Sequence, residues 1–238
     1  MNKMPLHDST CVVITGACGN LGRAVAAAFA AQGRTLVLID RNSAALAKHF
    51  GADTHARASI ACDLTDSAAT ESALRSAAEA FGPVGVLCNI AGAFRMGEPV
   101  HDTRASTWDF LMDVNARTVL NTARAIIPGM VKARHGAVVN VSAAAAQKGA
   151  ANMGSYCASK SVVARLSESM SAELRDHGIN VNCVMPGTID TPENRADMPN
   201  ADVSKWVSPE DLANVIVFLA SPAARAIHGA CVPVAGRS

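Results

Sequence analysis

Short apolar runs alternate with stretches of helical periodicity along almost the whole chain, and this limits the fold more than any other feature. Cys11–Thr15, Thr35–Asp40, Ala58–Cys62, Val84–Asn89, Ala137–Ser142 and Ile179–Met185 are brief and largely apolar. Strands buried on both faces have this character. Helical stretches lie between them at about 21–32, 43–50, 66–81, 103–134 and 155–177. A further helix is predicted at about 209–220, because Ser208-Pro209-Glu210-Asp211 combines a capping serine, a first-turn proline and early acids. Ala230–Val234 predicts a last short strand. The alternation predicts an α/β fold of Rossmann type: one doubly wound, mainly parallel sheet of about seven strands with helices on both faces. With 50% hydrophobic and 17% charged residues, the 238-residue chain can bury a sizeable core. No linker, repeat or low-complexity tract divides it, so a single domain over 1–238 is expected. The Pro-, Asn- and Asp-rich stretch 186–207 is expected to be an irregular loop serving as a substrate lid.

Composition removes several functions. A formal net charge of +1 gives no reason to expect nucleic acid or an anionic membrane as partner. Aromatic residues make up 4%, too few for base-stacking platforms. No apolar run approaches the roughly 18–20 residues that span a bilayer. Met1-Asn2-Lys3-Met4-Pro5 lacks the apolar core of a signal peptide. The seven cysteines, at 11, 18, 62, 88, 157, 183 and 231, are dispersed and form no Cys-x-x-Cys pair. Reduced thiols, a cytoplasmic protein and no metal site are the expectation.

The first strand runs into Thr15-Gly16-Ala17-Cys18-Gly19-Asn20-Leu21-Gly22, and a helix follows. Glycines at such a junction let the backbone approach a pyrophosphate at a helix N-terminus. Asp40 ends the second strand, 24 residues after Gly16. A carboxylate there can accept from both adenosine ribose hydroxyls and repels a 2′-phosphate. The alternative is that Asp40 only caps a turn. Arg41 beside it could welcome the phosphate, so NAD(H) is the preferred cofactor and NADP(H) a possible one.

Tyr156, the only tyrosine, precedes Lys160 by four residues at the head of a helical run. Residues four apart share a helix face. A phenol titrates near ~10, and a neighbouring ammonium favours the phenolate and lowers that value. This makes a tunable general acid or base. A helix-surface pair with no chemistry is the plain alternative.

With these features together, the chain resembles the short-chain dehydrogenase/reductase family along nearly its whole length. The family's Thr-Gly-x-x-x-Gly-x-Gly pattern is matched by Thr15, Gly16 and Gly22, while Asn20 stands in the middle glycine's place and is expected to tolerate its left-handed backbone. Leu21 lies inside the same turn. Cys62-Asp63-Leu64 resembles the adenine contact, giving Asp63 and Leu64 as candidates. Asn89-Ile90-Ala91-Gly92 resembles the sheet motif Asn-Asn-Ala-Gly with its second Asn lost, giving Asn89, Ala91 and Gly92. Pro186-Gly187-Thr188-Ile189-Asp190-Thr191 resembles the loop that holds the nicotinamide amide, giving Pro186, Gly187, Ile189 and Thr191.

The resemblance implies that Tyr156 exchanges a proton with the substrate oxygen and that Lys160 holds the nicotinamide ribose. It implies that Asn115 anchors a water. Asn115 could equally be a polar residue satisfying backbone groups inside a helix. The family's catalytic serine lies about 13 residues before the tyrosine, where this chain has Ala143, with Ser142 one residue earlier. Strand alternation turns Ser142 to the opposite face unless the loop carries an insertion, so Ser142 stays a candidate with that condition. One branch of the family, dihydropteridine reductase, also carries alanine here. Its lid is similar to Asp190-Thr191-Pro192-Glu193-Asn194-Arg195-Ala196-Asp197-Met198-Pro199-Asn200-Ala201-Asp202, with Trp206 at matching distance. Ala91-Gly92-Ala93-Phe94 resembles its Ala-Gly-Gly-Trp turn.

The implied function is hydride transfer between a nicotinamide and a small carbonyl, alcohol or quinonoid dihydropteridine-like substrate. A 3-oxoacyl thioester reductase-like enzyme is one alternative, and a non-catalytic nucleotide-binding redox sensor or scaffold is another. The helices at 103–134 and 155–177 pair across a twofold axis in relatives, which implies a homodimer or homotetramer.

Overall fold

The computed structural model describes residues 10–237. The Met1–Pro5 segment lies outside the described residues. The strands are β1 Cys11–Thr15, β2 Leu36–Asp40, β3 Arg57–Ala61, β4 Val84–Asn89, β5 Gly136–Val141, β6 Ile179–Pro186 and β7 Cys231–Val234. They form one seven-stranded sheet, ordered β3-β2-β1-β4-β5-β6-β7, with every neighbouring pair parallel. The helices are α1 Asn20–Ala30, α2 Ser43–Phe50, α3 Ser67–Phe81, α4 Ala105–Met112, α5 Thr118–Ala133, α6 Gly154–Leu174, α7 Pro192–Asp197 and α8 Pro209–Leu219. The strand order reverses between β1 and β4, and the crevice beyond their C-terminal ends is where open parallel sheets bind ligands.

Alternate strand residues point to opposite faces, so one sheet supplies two cores. Val12, Ile14, Leu38, Val86, Val139 and Val184 face one way and pack with Leu212 and Ile216 of α8 and with α1. Val13, Ile39, Leu87, Val138, Ile179 and Val181 face the other way and meet Leu74, Ile126 and Met130. Burying each such side chain contributes about 1.5–3 kcal/mol.

Through the second core run four buried polar side chains. Thr122 Oγ1 lies 2.9 Å from Asn89 Oδ1, Asn89 Nδ2 donates to Asn140 Oδ1 at 2.8 Å, and Asn140 Nδ2 donates to Ser167 Oγ at 2.8 Å. Ser167 Oγ donates onward to the Val163 carbonyl. They stitch α5, β4, β5 and α6 together.

Two predicted elements differ. The helix expected over 103–134 is one helical run, but its middle, Asp113–Arg117, widens into a π turn between α4 and α5. It ends where Arg134 takes a left-handed backbone, φ 53°. The stretch 186–207, expected to be irregular, contains α7 and a short 3₁₀ turn at Val203–Lys205. Thr191 Oγ1 accepts from the Asn194 amide and Pro192 takes the first turn, which is sufficient to start α7. At α8 the predicted cap is present: Ser208 Oγ accepts from the Asp211 amide at 3.0 Å.

Candidate active site

The turn after β1 is shaped by two glycines. Gly16 has φ +62°, and a Cβ on it would lie 2.8 Å from Ala91 Cα. A Cβ on Gly22 would lie 2.2 Å from the Gly16 carbonyl oxygen. Neither position admits a side chain. Thr15 pins the turn to the end of β4, accepting from the Ile90 and Ala91 amides at 3.0 and 3.1 Å. Asn20 departs from expectation. It is the first residue of α1, its φ is not positive, and only Gly16 in this turn is left-handed. Its side chain reaches the lid instead, donating to Glu193 Oε2 at 2.9 Å, while its Oδ1 accepts from Arg23 at 2.6 Å. No side chain caps α1, so the amides of Asn20, Leu21 and Gly22 are free for a pyrophosphate. The cradle fits a dinucleotide.

Asp40 does more than cap. One carboxylate oxygen accepts from the Asn42 amide at 3.2 Å and the other from Cys18 in the glycine turn at 3.1 Å. Beside it lies a recess of about 530 Å³ lined by Arg41, Asn42, Ser43, Ala61, Cys62 and Asp63. Thr65 donates to Asp63 through hydroxyl and amide, holding that carboxyl below its usual range. Leu64 contributes no side chain here. It is buried in the core, and its carbonyl is taken by Asn121 at 2.8 Å. Asn89 is likewise an internal strut, both ends of its amide being engaged by Asn140 and Thr122.

At the end of β4 the catalytic candidates gather. Asn115 sits in the π turn, 1% exposed. Its Oδ1 accepts from the Ala93 amide at 2.9 Å, and its Nδ2 lies 3.0 Å from both the Ala93 carbonyl and Ser159 Oγ. Such widened turns recur at functional sites because they re-aim a side chain. A Cβ on Gly92 would lie 2.8 Å from Asn115 Oδ1 and 3.0 Å from Lys160 Nζ. The amide oxygen and the ammonium therefore converge over the same glycine. Lys160, 5% exposed, donates to the Val141 carbonyl at 3.0 Å. Tyr156 stands edge-on to Phe94, ring centroids 4.8 Å apart.

The expected lowering of the phenol is not found. Burial, and then the neighbouring Cys157, pushes Tyr156 up to about 12. Burial pushes Lys160 down to about 8. The ammonium is spent on a backbone carbonyl, and the phenol is desolvated against Phe94, so desolvation outweighs charge attraction. At neutral pH Tyr156 is a protonated donor.

Ser142 is corrected as a candidate for a substrate-facing hydroxyl. It is 2% exposed, and its Oγ donates to the Lys160 carbonyl at 2.6 Å. No insertion shifts it: the amide of Ser142 continues the β5–β6 pairing onto Val184. The alternation of the strand turns it under α6, and Ala143 stands next in line.

Pro186 ends β6 and is buried, the Gly187 amide donates to the Val234 carbonyl, and Ile189 bridges Val207. Thr191 caps α7, and Asp190 holds Arg195 through two contacts of 2.5 and 2.7 Å. Sequence reasoning missed Ser159, which links Asn115 to the Tyr156 carbonyl, and the Asn20–Glu193 contact. The Ser-Lys dipeptide gave a clue to the first; nothing local announced the second. Among the described residues no cluster could hold a metal, and no helix is long and apolar enough to cross a membrane.

A glycine-cradled helix N-terminus and a Tyr/Lys/Asn cluster at the switch point of a parallel sheet define a dinucleotide-binding α/β oxidoreductase. The chain belongs to the short-chain dehydrogenase family, whose model matches residues 10–202. It is similar to galactitol 2-dehydrogenase (L-tagatose-forming) of Cereibacter sphaeroides, 35% identical over 246 residues, covering 96% of this chain and 94% of the relative. It is also similar to D-threitol dehydrogenase of Mycolicibacterium smegmatis, 32% identical, covering 96% and 92%. Among solved structures, gox2181 superposes with a TM-score of 0.88 at 26% identity, covering 96% of this chain and 95% of that one. The protein is an enzyme of the short-chain dehydrogenase/reductase type, an oxidoreductase acting with NAD(H) or NADP(H).

Proposed function

We propose that this enzyme interconverts a secondary alcohol and its ketone with NAD(H) in preference to NADP(H). The convergence of Asn115 and Lys160 over Gly92, beside Tyr156, carries the reading. Bound nicotinamide supplies or accepts the hydride. Tyr156, protonated at neutral pH, gives its proton to the substrate oxygen in reduction and takes it back in oxidation. Lys160 holds the nicotinamide ribose and, with Asn115, passes protons toward solvent. Asp40 selects the adenosine ribose by its charge, and the N-terminal amides of α1 take the pyrophosphate.

The named substrates of the relatives, galactitol and D-threitol, are polyols and support an alcohol as reductant. A quinonoid dihydropteridine is the second reading, favoured by one observation. Ser142 is turned under α6 and Ala143 offers no hydroxyl, so nothing at that position polarises a ketone oxygen. The chain is read as one unit with 186–207 as its lid, supported by the Asn20–Glu193 contact. Exposed Trp108 and Leu120 support pairing of the α4–α5 run in a homodimer or homotetramer. Seven unpaired cysteines support a reducing, cytoplasmic setting. The test is steady-state turnover of polyols, simple ketones and quinonoid dihydropterin with NADH, NAD⁺ and their phosphorylated forms. Turnover of none of them, with tight NADH binding, would refute the reading and leave a nucleotide-binding sensor.

A further inference from the structure

A second recess, about 130 Å³, opens where α6 begins, one residue before Tyr156. Its size suits a small polar group rather than a drug-sized body. Three observations give it a sign. First, Ser155 lines it, is 8% exposed, and its hydroxyl makes no hydrogen bond to any described residue. That hydroxyl is not among the sealed, unsatisfied atoms of the interior, so it opens on the recess. A hydroxyl so placed takes its partner from whatever fills the recess, water or a ligand. Second, no side chain caps α6, a 21-residue helix. Cys157 is the first residue whose amide turns back, to Met153, so the amides of Gly154, Ser155 and Tyr156 are unpaired helix donors. Third, Arg95 lines the same recess, its guanidinium stacked 3.6 Å over the Phe110 ring, and forms no ion pair among the described residues. Stacking fixes the guanidinium while leaving its edge donors free.

The other charges in the recess cancel. Arg104 contacts Glu98 at 2.5 Å, and Thr107 and the Arg104 amide also donate to that carboxylate. One unpaired cation, one unpartnered hydroxyl and a helix N-terminus remain.

We propose that this recess is a carboxylate subsite, taking the anionic end of a molecule whose other end reaches Tyr156. Ser155 donates to one carboxylate oxygen, Arg95 to the other, and the first amides of α6 face the charge. The substrate of the reaction proposed above is then an acid, an assignment that rests on that reading; a free carboxylate acting as an effector would use the same donors.

The probe is succinate, titrated calorimetrically into the full chain at low ionic strength, with neutral dimethyl succinate as its counterpart. Succinate is expected to bind and dimethyl succinate not to. Arg95→Met and Ser155→Ala are each expected to weaken succinate about fivefold or more, with melting temperatures near that of the parent. Because Arg95 is exposed, binding should also weaken as salt rises. Equal affinity for the two probes, unchanged affinity in both variants, or no succinate binding overturns the proposal. A turnover arm separates the sources. Succinate raising KM at constant kcat assigns the site to the substrate's own carboxylate, and a change in kcat assigns it to a free anion. If no substrate turns over, the proposed reaction fails, while the titration still decides the subsite.

Discussion

Replacing Lys160 with methionine should make the protein more stable at pH 7 while abolishing its chemistry. Burial lowers Lys160 from 10.5 to about 8. A shift of that size corresponds to about 3 kcal/mol of penalty on the folded state wherever both states are protonated. Methionine removes this penalty and conserves volume, but it strands the Val141 carbonyl that the ammonium now satisfies, at about 1–2 kcal/mol. The net gain is about 1–2 kcal/mol at pH 7, worth roughly 2–4 °C per kcal/mol in a domain of this size. The sign with pH follows from the depressed folded pKa. Between about 8 and 10.5 the unfolded chain binds more protons than the folded one, so the parent gains stability as pH rises and the variant does not. At pH 9.5 the parent's penalty has fallen to about 1.4 kcal/mol, and the variant's advantage should be gone. Titrating thiols and Tyr156 are common to both proteins and drop out of the difference. Thermal melts of cofactor-free parent and Lys160→Met at pH 7.0 and 9.5 measure it. A variant less stable than the parent by the same amount at both values would show that burial does not strain this lysine.

Asp40→Ala should narrow the preference for NADH over NADPH in paired titrations; tighter NADPH binding by the unaltered protein would mean that Arg41 dominates. Tyr156→Phe should keep NADH binding and lower turnover about 10²–10⁴-fold. As the only tyrosine, Tyr156 can be titrated near 295 nm, where ionisation is expected close to 12. Ser142→Ala should cost about 0.5–1.5 kcal/mol in urea unfolding by removing its hydrogen bond to the Lys160 carbonyl, which keeps its partner within α6, with turnover per folded molecule close to the parent's. Abolished turnover in a folded Ser142→Ala protein would restore that hydroxyl to the mechanism.

The sheet was legible because strands buried on both faces must be apolar along their whole length, and β1 and β4 match their expected bounds residue for residue. The site was legible wherever one residue type has one conformational use, as at Gly16 and Gly22. Asn115 was placed within its helical run, but the π turn that holds it was not: a widened turn leaves the apolar period of its helix almost unchanged. Alternation correctly turned Ser142 away. The lowered Tyr156 pKa failed because helical spacing says which side chains are neighbours, whereas desolvation depends on Phe94, 62 residues away in the chain. The Asn20–Glu193 contact spans 173 residues, and no local pattern encodes such a pairing.

The four polar side chains that cross the second core have a consequence for how this sequence can change over time. Each amide or hydroxyl in the row Thr122, Asn89, Asn140, Ser167 answers the next, and all are buried. An apolar replacement at one position leaves its neighbour's polar atom sealed without a partner. Replacing both members of a pair removes the orphan along with its partner, so the second change recovers part of what the first lost. Drift at these positions should therefore proceed in linked steps, with Asn89 and Asn140 altered together or not at all. A double-mutant cycle on that pair would show a coupling of about 0.5–3 kcal/mol.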